Sequence, residues 1–174
     1  MTSTVELVAL AQHMEWADAQ IWTSLLGVTP AQADDRLRLL VYHVHIVQRA
    51  FLSLWRGEAP QFPDPAAFPD PASLAAWGRD GHTQIQRFLA SADEAALARP
   101  LQVPWAVELE KILGRPTAHA TVAQTAVQVA LHSSHHRGQI NVRLRTAGGE
   151  PPLVDYIAWV WSGQPQAAWP ASVA

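Results

Sequence analysis

The sequence predicts an all-α protein, most simply a four-helix bundle. Four long stretches carry helical patterns bounded by capping residues, glycines and prolines, and no stretch alternates convincingly like a β-strand. Its 174 residues, 49% of them apolar and 16% charged, are enough for one compact domain with a real core. We therefore expect a single domain over residues 1–174, with any ligand site between facing helices.

The first two helices have clear ends. The first is predicted over residues 3–27, where Ser3 or Thr4 can cap its amino end and a glycine follows its last turn. The second is predicted over residues 35–55 and stops before Gly57.

The middle of the chain is more irregular. Residues 58–73 contain five prolines, so they predict a long irregular crossover. A third helix is expected over residues 73–92, weakened by Gly78 and Gly81, each of which costs about 1 kcal/mol relative to alanine. The stretch 99–116 has three prolines and indicates a loop, with room for a short hairpin.

The longest predicted helix spans residues 117–147. Gly148 and Gly149 suit its carboxyl end, and two prolines follow. The segment "LVDYIAWVW", residues 153–161, then predicts a short fifth helix.

Composition excludes several classes of function. The net charge is −3 without a long basic run, so a nucleic-acid partner is not expected. The chain has no cysteine, so any metal must be held by nitrogen and oxygen ligands. No run of 18 apolar residues predicts a membrane span, and the opening "MTSTVELVAL" does not resemble a signal peptide. We expect a soluble cytoplasmic protein.

The most informative stretch is "LHSSHHRGQ", residues 131–139. On a helix, His132 and His136 differ in direction by about 40° and lie one turn apart, so they can share one ion. His135 points about 100° away from His136 and suits an outer position. Apolar residues border the His132/His136 stripe, which places it beside the bundle interior: Val122, Val129, Ile140 and Leu144.

A third ligand must come from another helix. The second helix offers His43 and His45, whose directions differ by about 200°. His43 lies at the edge of the apolar stripe, whereas His45 shares its side with three arginines and is predicted to face solvent: Arg38, Arg49 and Arg56. The pattern favours His43, His132 and His136 as a three-nitrogen set with one open position. A bundle whose histidines hold no metal is the alternative.

Other metal chemistries lack their motifs. The HExxH peptidase pattern requires glutamate at the position of Ser133, and a di-iron bundle requires Glu-x-x-His pairs that do not occur. Haem attachment through cysteine is excluded.

The chain resembles the DinB-like (DinB/YfiT) metal-binding superfamily. The resemblance rests on "HSSHHRGQ" followed by "INVRLRTAGGEPP", on "HVHIVQRAFLSLWRG" in the second helix and on "MEWADAQIW" in the first. It implies a four-helix bundle holding a divalent metal, often zinc or nickel, through His43, His132 and His136. Arg137 and Gln139 match the tail of the motif. Members often form homodimers, and some are transferases or isomerases that use bacillithiol, mycothiol or glutathione.

Two functions follow as hypotheses. In the first, an enzyme acts on a small molecule, the metal deprotonates a thiol, His135 shuttles a proton, and Arg137 and Gln139 support the site from outside the ligand shell. Arg137 could hold a carboxylate there. In the second, the same ligands serve a stress-related metal store or sensor, closed by a fourth ligand among three other histidines: His13, His82 and His119.

The long helix also carries a second apolar face, formed by Val127, Leu131 and Val142. A bundle helix needs only one broad apolar stripe. We therefore expect this face to meet either the "YIAWVW" segment or a partner subunit, with a homodimer preferred.

Overall fold

A computed structural model describes residues 4–173, and helices dominate it. Within that range the α-helices are α1 Thr4–Leu26, α2 Thr29–Gln32, α3 Asp35–Arg56, α4 Pro71–Ser91, α5 Glu94–Ala98, α6 Ala106–Leu113, α7 Val122–Thr146 and α8 Tyr156–Trp161. Two short strands, β1 Pro100–Leu101 and β2 Ala120–Thr121, pair in antiparallel fashion. The prediction of an all-α bundle is confirmed.

Four long helices, α1, α3, α4 and α7, form the bundle. Each packs against two others, α1 and α3 both contacting α4 and α7, so α1 and α3 stand diagonally across the core. Helices α3 and α7 run antiparallel, because Asp34 pairs with Arg143 at one end and Trp55 Nε1 donates to Thr125 Oγ1 towards the other. This pair of helices carries the histidines.

Side-chain caps explain where the helices begin. Asp34 accepts from the backbone N–H of Leu37 at the start of α3, and Asp70 forms a capping box at the start of α4. Thr121 forms another at the start of α7, so that helix begins five residues later than the sequence predicts. The other long helices begin and end within two residues of their predicted bounds.

The loop predicted over residues 99–116 is wrong in part, because α6 lies inside it. Pro104 and Pro116 flank α6 and do not interrupt it. Gly114 ends the helix in the left-handed conformation, with φ of 65°. Strands β1 and β2 pair with each other, and α6 lies in the segment that connects them.

Both glycines inside α4 lie where α3 approaches closely. A Cβ at Gly78 would come within 2.5 Å of His45 Nε2, and one at Gly81 within 3.2 Å of Arg49 Cγ. These glycines lower the intrinsic helix propensity of α4, but they allow α3 and α4 to pack closely. Helix propensity alone does not predict this close packing.

The second apolar face of α7 is not covered by α8. Trp159 of α8 packs against Trp16 and Ala17 on α1, while Leu131 and Val142 remain 62% and 66% exposed. Of the two covers expected for this face, the C-terminal segment is therefore excluded and the partner subunit stays a prediction. Val127 differs from the other two residues because it packs partly against the core. Among residues 4–173, no helix is both long enough and apolar enough to cross a membrane.

Candidate metal centre

Three histidines from two helices converge on one point. His43 of α3 and His132 of α7 place their Nε2 atoms 3.2 Å apart, and the His136 ring lies 4.3 Å from that of His132 and 4.5 Å from that of His43, measured between centroids. One ligand atom from each histidine lies within 4.8 Å of the other two. The sequence brings them together because His132 and His136 are one turn apart and α3 packs antiparallel beside α7.

The cluster lies at the surface of the bundle. His43 is exposed, whereas His132 and His136 are half-buried. Among the described residues, this group of potential ligands consists of the three histidines. Its solvent side is open.

Gln139 determines which nitrogen of His136 is free. The Gln139 Oε1 atom is 2.8 Å from His136 Nδ1, and because an amide oxygen can only accept a hydrogen bond, His136 Nδ1 carries the proton and donates. The Nε2 lone pair of His136 is then available to a ligand. The amide group of Gln139 donates in turn to His135 Nε2 at 3.2 Å, so one glutamine orients both imidazoles.

The environment lowers the pKa of two of these imidazoles, His132 and His43. The pKa of His132 is lowered to about 4, mainly by burial and also by the neighbouring His136, His43 and His135. Burial also lowers the pKa of His43, followed by the effect of His136. Neutral imidazoles offer the lone pairs that a metal requires.

The donor set and its spacing fit a divalent cation. Zinc binds imidazole nitrogen at roughly 2.0–2.1 Å, and tetrahedral angles then place two ligand nitrogens about 3.3 Å apart. The Nε2 atoms of His43 and His132 are 3.2 Å apart. Two imidazole nitrogens facing each other at this distance require either a shared proton or a shared cation.

The model of one protein family, the DinB superfamily, matches residues 15–140. The chain belongs to the DinB superfamily. All three clustered histidines and Gln139 lie inside the matched region. A comparison with curated proteins finds no match.

In this DinB chain, His45 does not face solvent as the sequence predicts. It is 1% exposed and lies between α3 and α4, opposite Gly78. Trp22 Nε1 donates to His45 Nε2 at 2.8 Å, so His45 Nδ1 carries the proton and donates to Gln48 Oε1 at 2.9 Å. Burial lowers the pKa of His45 to about 4, which agrees with a neutral ring.

The buried network continues to a carboxylate. Gln48 Nε2 donates to Asp18 Oδ2 at 2.8 Å, and His82 Nε2 lies 2.9 Å from the same oxygen. Arg137 Nη1 donates to Asp18 Oδ1 at 2.8 Å. Although burial raises the pKa of Asp18, the Arg137 charge and the His82 hydrogen bond outweigh it and hold that pKa well below its usual range.

Arg137 therefore lies inside the bundle and binds a carboxylate of α1. The sequence predicted that Arg137 could bind a carboxylate, and it does. The side chain was expected beside the metal ligands, however, and it lies in the interior of the bundle instead. The adjacent His136 faces the open cluster, about 100° around the same helix.

Asp18, His45 and His82 also lie close enough together to hold a metal. The Nε2 lone pair of His45 is already used by the Trp22 N–H, and the Nδ1 atom of His45 carries a proton. The group is therefore a hydrogen-bond network that ties α1, α3 and α4 together. His82 Nδ1 has no hydrogen-bond partner among the described residues.

The histidines considered as a fourth ligand lie elsewhere. His13 is buried, with its Nε2 atom 3.0 Å from the Val154 carbonyl oxygen. His82 belongs to the buried network, and His119 is exposed beyond α6.

One residue of the sequence signals the buried network, although the histidine and arginine spacing does not predict it. Asp18 occupies a core position of α1, in line with Met14, Ile21 and Leu25, all of which are buried. A carboxylate in such a stripe requires a buried partner, and Arg137 is that partner.

Proposed function

We propose that His43, His132 and His136 hold one divalent cation, zinc or nickel, and that the protein is a metal-dependent transferase or isomerase that uses a low-molecular-weight thiol. The observation that carries this proposal is the convergence of three imidazole nitrogens within 4.8 Å of one another, with the Nε2 atoms of His43 and His132 3.2 Å apart, at an exposed surface. Membership of the DinB superfamily supports it.

The residues present suit an open site. Three protein ligands leave a position for an exogenous molecule, which is the arrangement of catalytic zinc sites and not of closed structural ones. The exposure of His43 keeps that position accessible from solvent. When bound, a divalent cation lowers the pKa of a coordinated thiol, so that a nucleophile is available near neutral pH.

His135 and Gln139 complete the proposed machinery. His135 is exposed beside the cluster, with its ring centroid 5.0 Å from that of His136. Since Gln139 donates to His135 Nε2, the neutral His135 carries its proton at Nδ1, and it takes up a further proton at Nε2 only when the hydrogen bond to Gln139 opens. Gln139 holds the His136 ring in the orientation that leaves its Nε2 free.

A non-catalytic metal store or sensor would use the same ligands. The absence of a fourth protein ligand from the described group favours the enzyme, because a store gains affinity from a closed site. A homodimer and a cytoplasmic location remain parts of this proposal.

The test uses protein loaded with cobalt, whose visible spectrum reports its ligands. Tag-free protein is titrated with glutathione, mycothiol and bacillithiol in turn. We expect one of these thiols to produce a saturable sulfur-to-metal absorption band in the wild type. His135→Ala should retain that band but transfer the thiol to an electrophile more slowly. The absence of a band with all three thiols in a metal-loaded protein would contradict thiol use and leave the store or sensor.

A further inference from the structure

An open groove of about 1060 Å³ lies between α6 and the α3/α7 face of the bundle. Its apolar walls include Phe51 of α3, Leu109 and Leu113 of α6, and Trp105, which meets Phe51 edge to face with ring centroids 5.2 Å apart. A groove of this size with mainly apolar walls suits a drug-sized small molecule.

Helix α6 faces this groove with apolar side chains that the bundle does not bury. None of its residues is buried, and Leu109 and Leu113 are 49% and 47% exposed although they lie one turn apart on the groove side. A short amphipathic helix gains little by holding two leucines over an open space. A ligand between α6 and α3 would cover both.

One end of the groove lies near the histidine cluster, although none of the three histidines lines it. Gln128 lines the groove and precedes His132 by four residues on α7, which is roughly 6 Å along the helix axis. On the other wall, Phe51 lies two turns beyond His43 on α3. A molecule that extends about one helical turn beyond Gln128 would therefore reach the proposed metal.

One cation borders the groove without a partner. Arg115 lines it and makes no hydrogen bond or ion pair to any residue between 4 and 173. The neighbouring carboxylate of Glu110 accepts bonds from the backbone N–H and the hydroxyl of Thr117, which lower its pKa and hold it in place. The free guanidinium favours a ligand that carries an anionic group.

We propose that this groove binds the small-molecule substrate of the histidine site, and that the substrate is an amphipathic anion with an aromatic or similarly apolar body. The proposal rests on the proposed function for the site of reaction, but binding in the groove is measurable without turnover. The apolar body packs between Trp105 and the two leucines of α6, and the anionic group pairs with Arg115.

The test measures binding of 8-anilinonaphthalene-1-sulfonate, an aromatic anion, by its own fluorescence and by quenching of tryptophan. We expect saturable binding to folded protein, weakened about tenfold in the double variant Leu109→Ser/Leu113→Ser. Ile112→Ser is the matched control, because Ile112 is 82% exposed on the same helix and does not line the groove. Circular dichroism checks that each variant is folded.

A second pair of measurements isolates the charge. Arg115→Gln should weaken binding of the sulfonate several-fold and leave binding of N-phenyl-1-naphthylamine, which has the same aromatic body without the sulfonate, nearly unchanged. The groove proposal would be overturned if Ile112→Ser weakened sulfonate binding as much as Leu109→Ser/Leu113→Ser does, or if the wild type showed no saturable binding. If the sulfonate binds to metal-free His132→Ala protein as it binds to the wild type, the groove proposal stands without the metal. If in addition the wild type takes up no metal, the proposed metal site is contradicted while the groove proposal stands.

Discussion

Arg137 Nη1 on α7 lies 2.8 Å from Asp18 Oδ1 on α1, and both side chains are almost completely buried. The residue before Arg137 in the chain, His136, faces the open histidine cluster instead. One short stretch of α7 thus serves both the interior of the bundle and its surface. The ion pair fixes the rotation of α7 about its axis, and that rotation determines where His132 and His136 point.

The Asp18–Arg137 pair predicts a strongly non-additive mutant cycle. Asp18→Leu or Arg137→Met alone should lower the free energy of unfolding by about 3–5 kcal/mol, because each leaves a buried charge without its partner. The double variant should lose clearly less than the sum of the two. Urea denaturation in the presence of a chelator measures this, and additive losses would show that the pair is not coupled.

Two glycines on different helices make a matched pair. Gly78→Ala should destabilise the protein despite the better helix propensity of alanine, since its Cβ would meet His45 Nε2 at 2.5 Å. Gly138→Ala should stabilise it by up to about 1 kcal/mol, because nothing lies within 4 Å of the added Cβ. Thermal unfolding compares the two variants. Equal effects would contradict the close approach of α3 and α4.

The free energy of unfolding should fall as the pH is lowered, already at pH values above those at which carboxylates titrate. The pKa of His45 is about 4 in the folded protein, below its ordinary value of 6.5, so the unfolded chain binds more protons between these two values. The free energy of unfolding should fall as the pH drops from 6.5 to 4, by about 3 kcal/mol from His45.

The lowered pKa values of His132, His43 and His13 act in the same direction. Denaturation with a chelator present, at pH values from 7 to 4, gives the curve. His45→Gln should flatten it relative to the wild type. A stability that does not change over this range would rule out a buried neutral histidine.

The exposed face of α7 predicts self-association. Leu131 and Val142 lie on one side of the helix, and both are exposed. We expect a homodimer in sedimentation experiments at micromolar concentration, and a monomer for Leu131→Glu/Val142→Glu. Ile112→Glu, on α6, is the control that should keep the dimer. A wild-type monomer would contradict the proposed interface.

The fold was readable from the sequence because its signals are local. Asp34 and Gly57 lie at the ends of α3, where side-chain capping and left-handed backbone operate within a single turn. Helix α6 was missed because the prolines around it, which flank the helix, dominated the pattern of a short segment. Length and composition do not distinguish a proline beside a helix from one inside it.

The surroundings of the site could be predicted only in part from the sequence, because a helical wheel assumes that each helix has one buried face. Helix α3 packs against both α4 and α7, so its buried arc is wide and includes His45 as well as the apolar stripe. The space for His45 comes from Gly78, far away in the sequence. His45→Ala should therefore lower the stability by roughly 2–4 kcal/mol, and not behave as a surface substitution.

Metal content per chain tests the central claim most directly. Tag-free protein purified without chelating resin is loaded with zinc, dialysed and measured by elemental analysis, with circular dichroism to confirm folding. The wild type and His119→Ala, whose histidine is exposed and outside the cluster, should each hold about one ion. His43→Ala, His132→Ala and His136→Ala should hold almost none. A folded His43→Ala protein with full occupancy, or a wild type that retains no zinc, would contradict the three-histidine site.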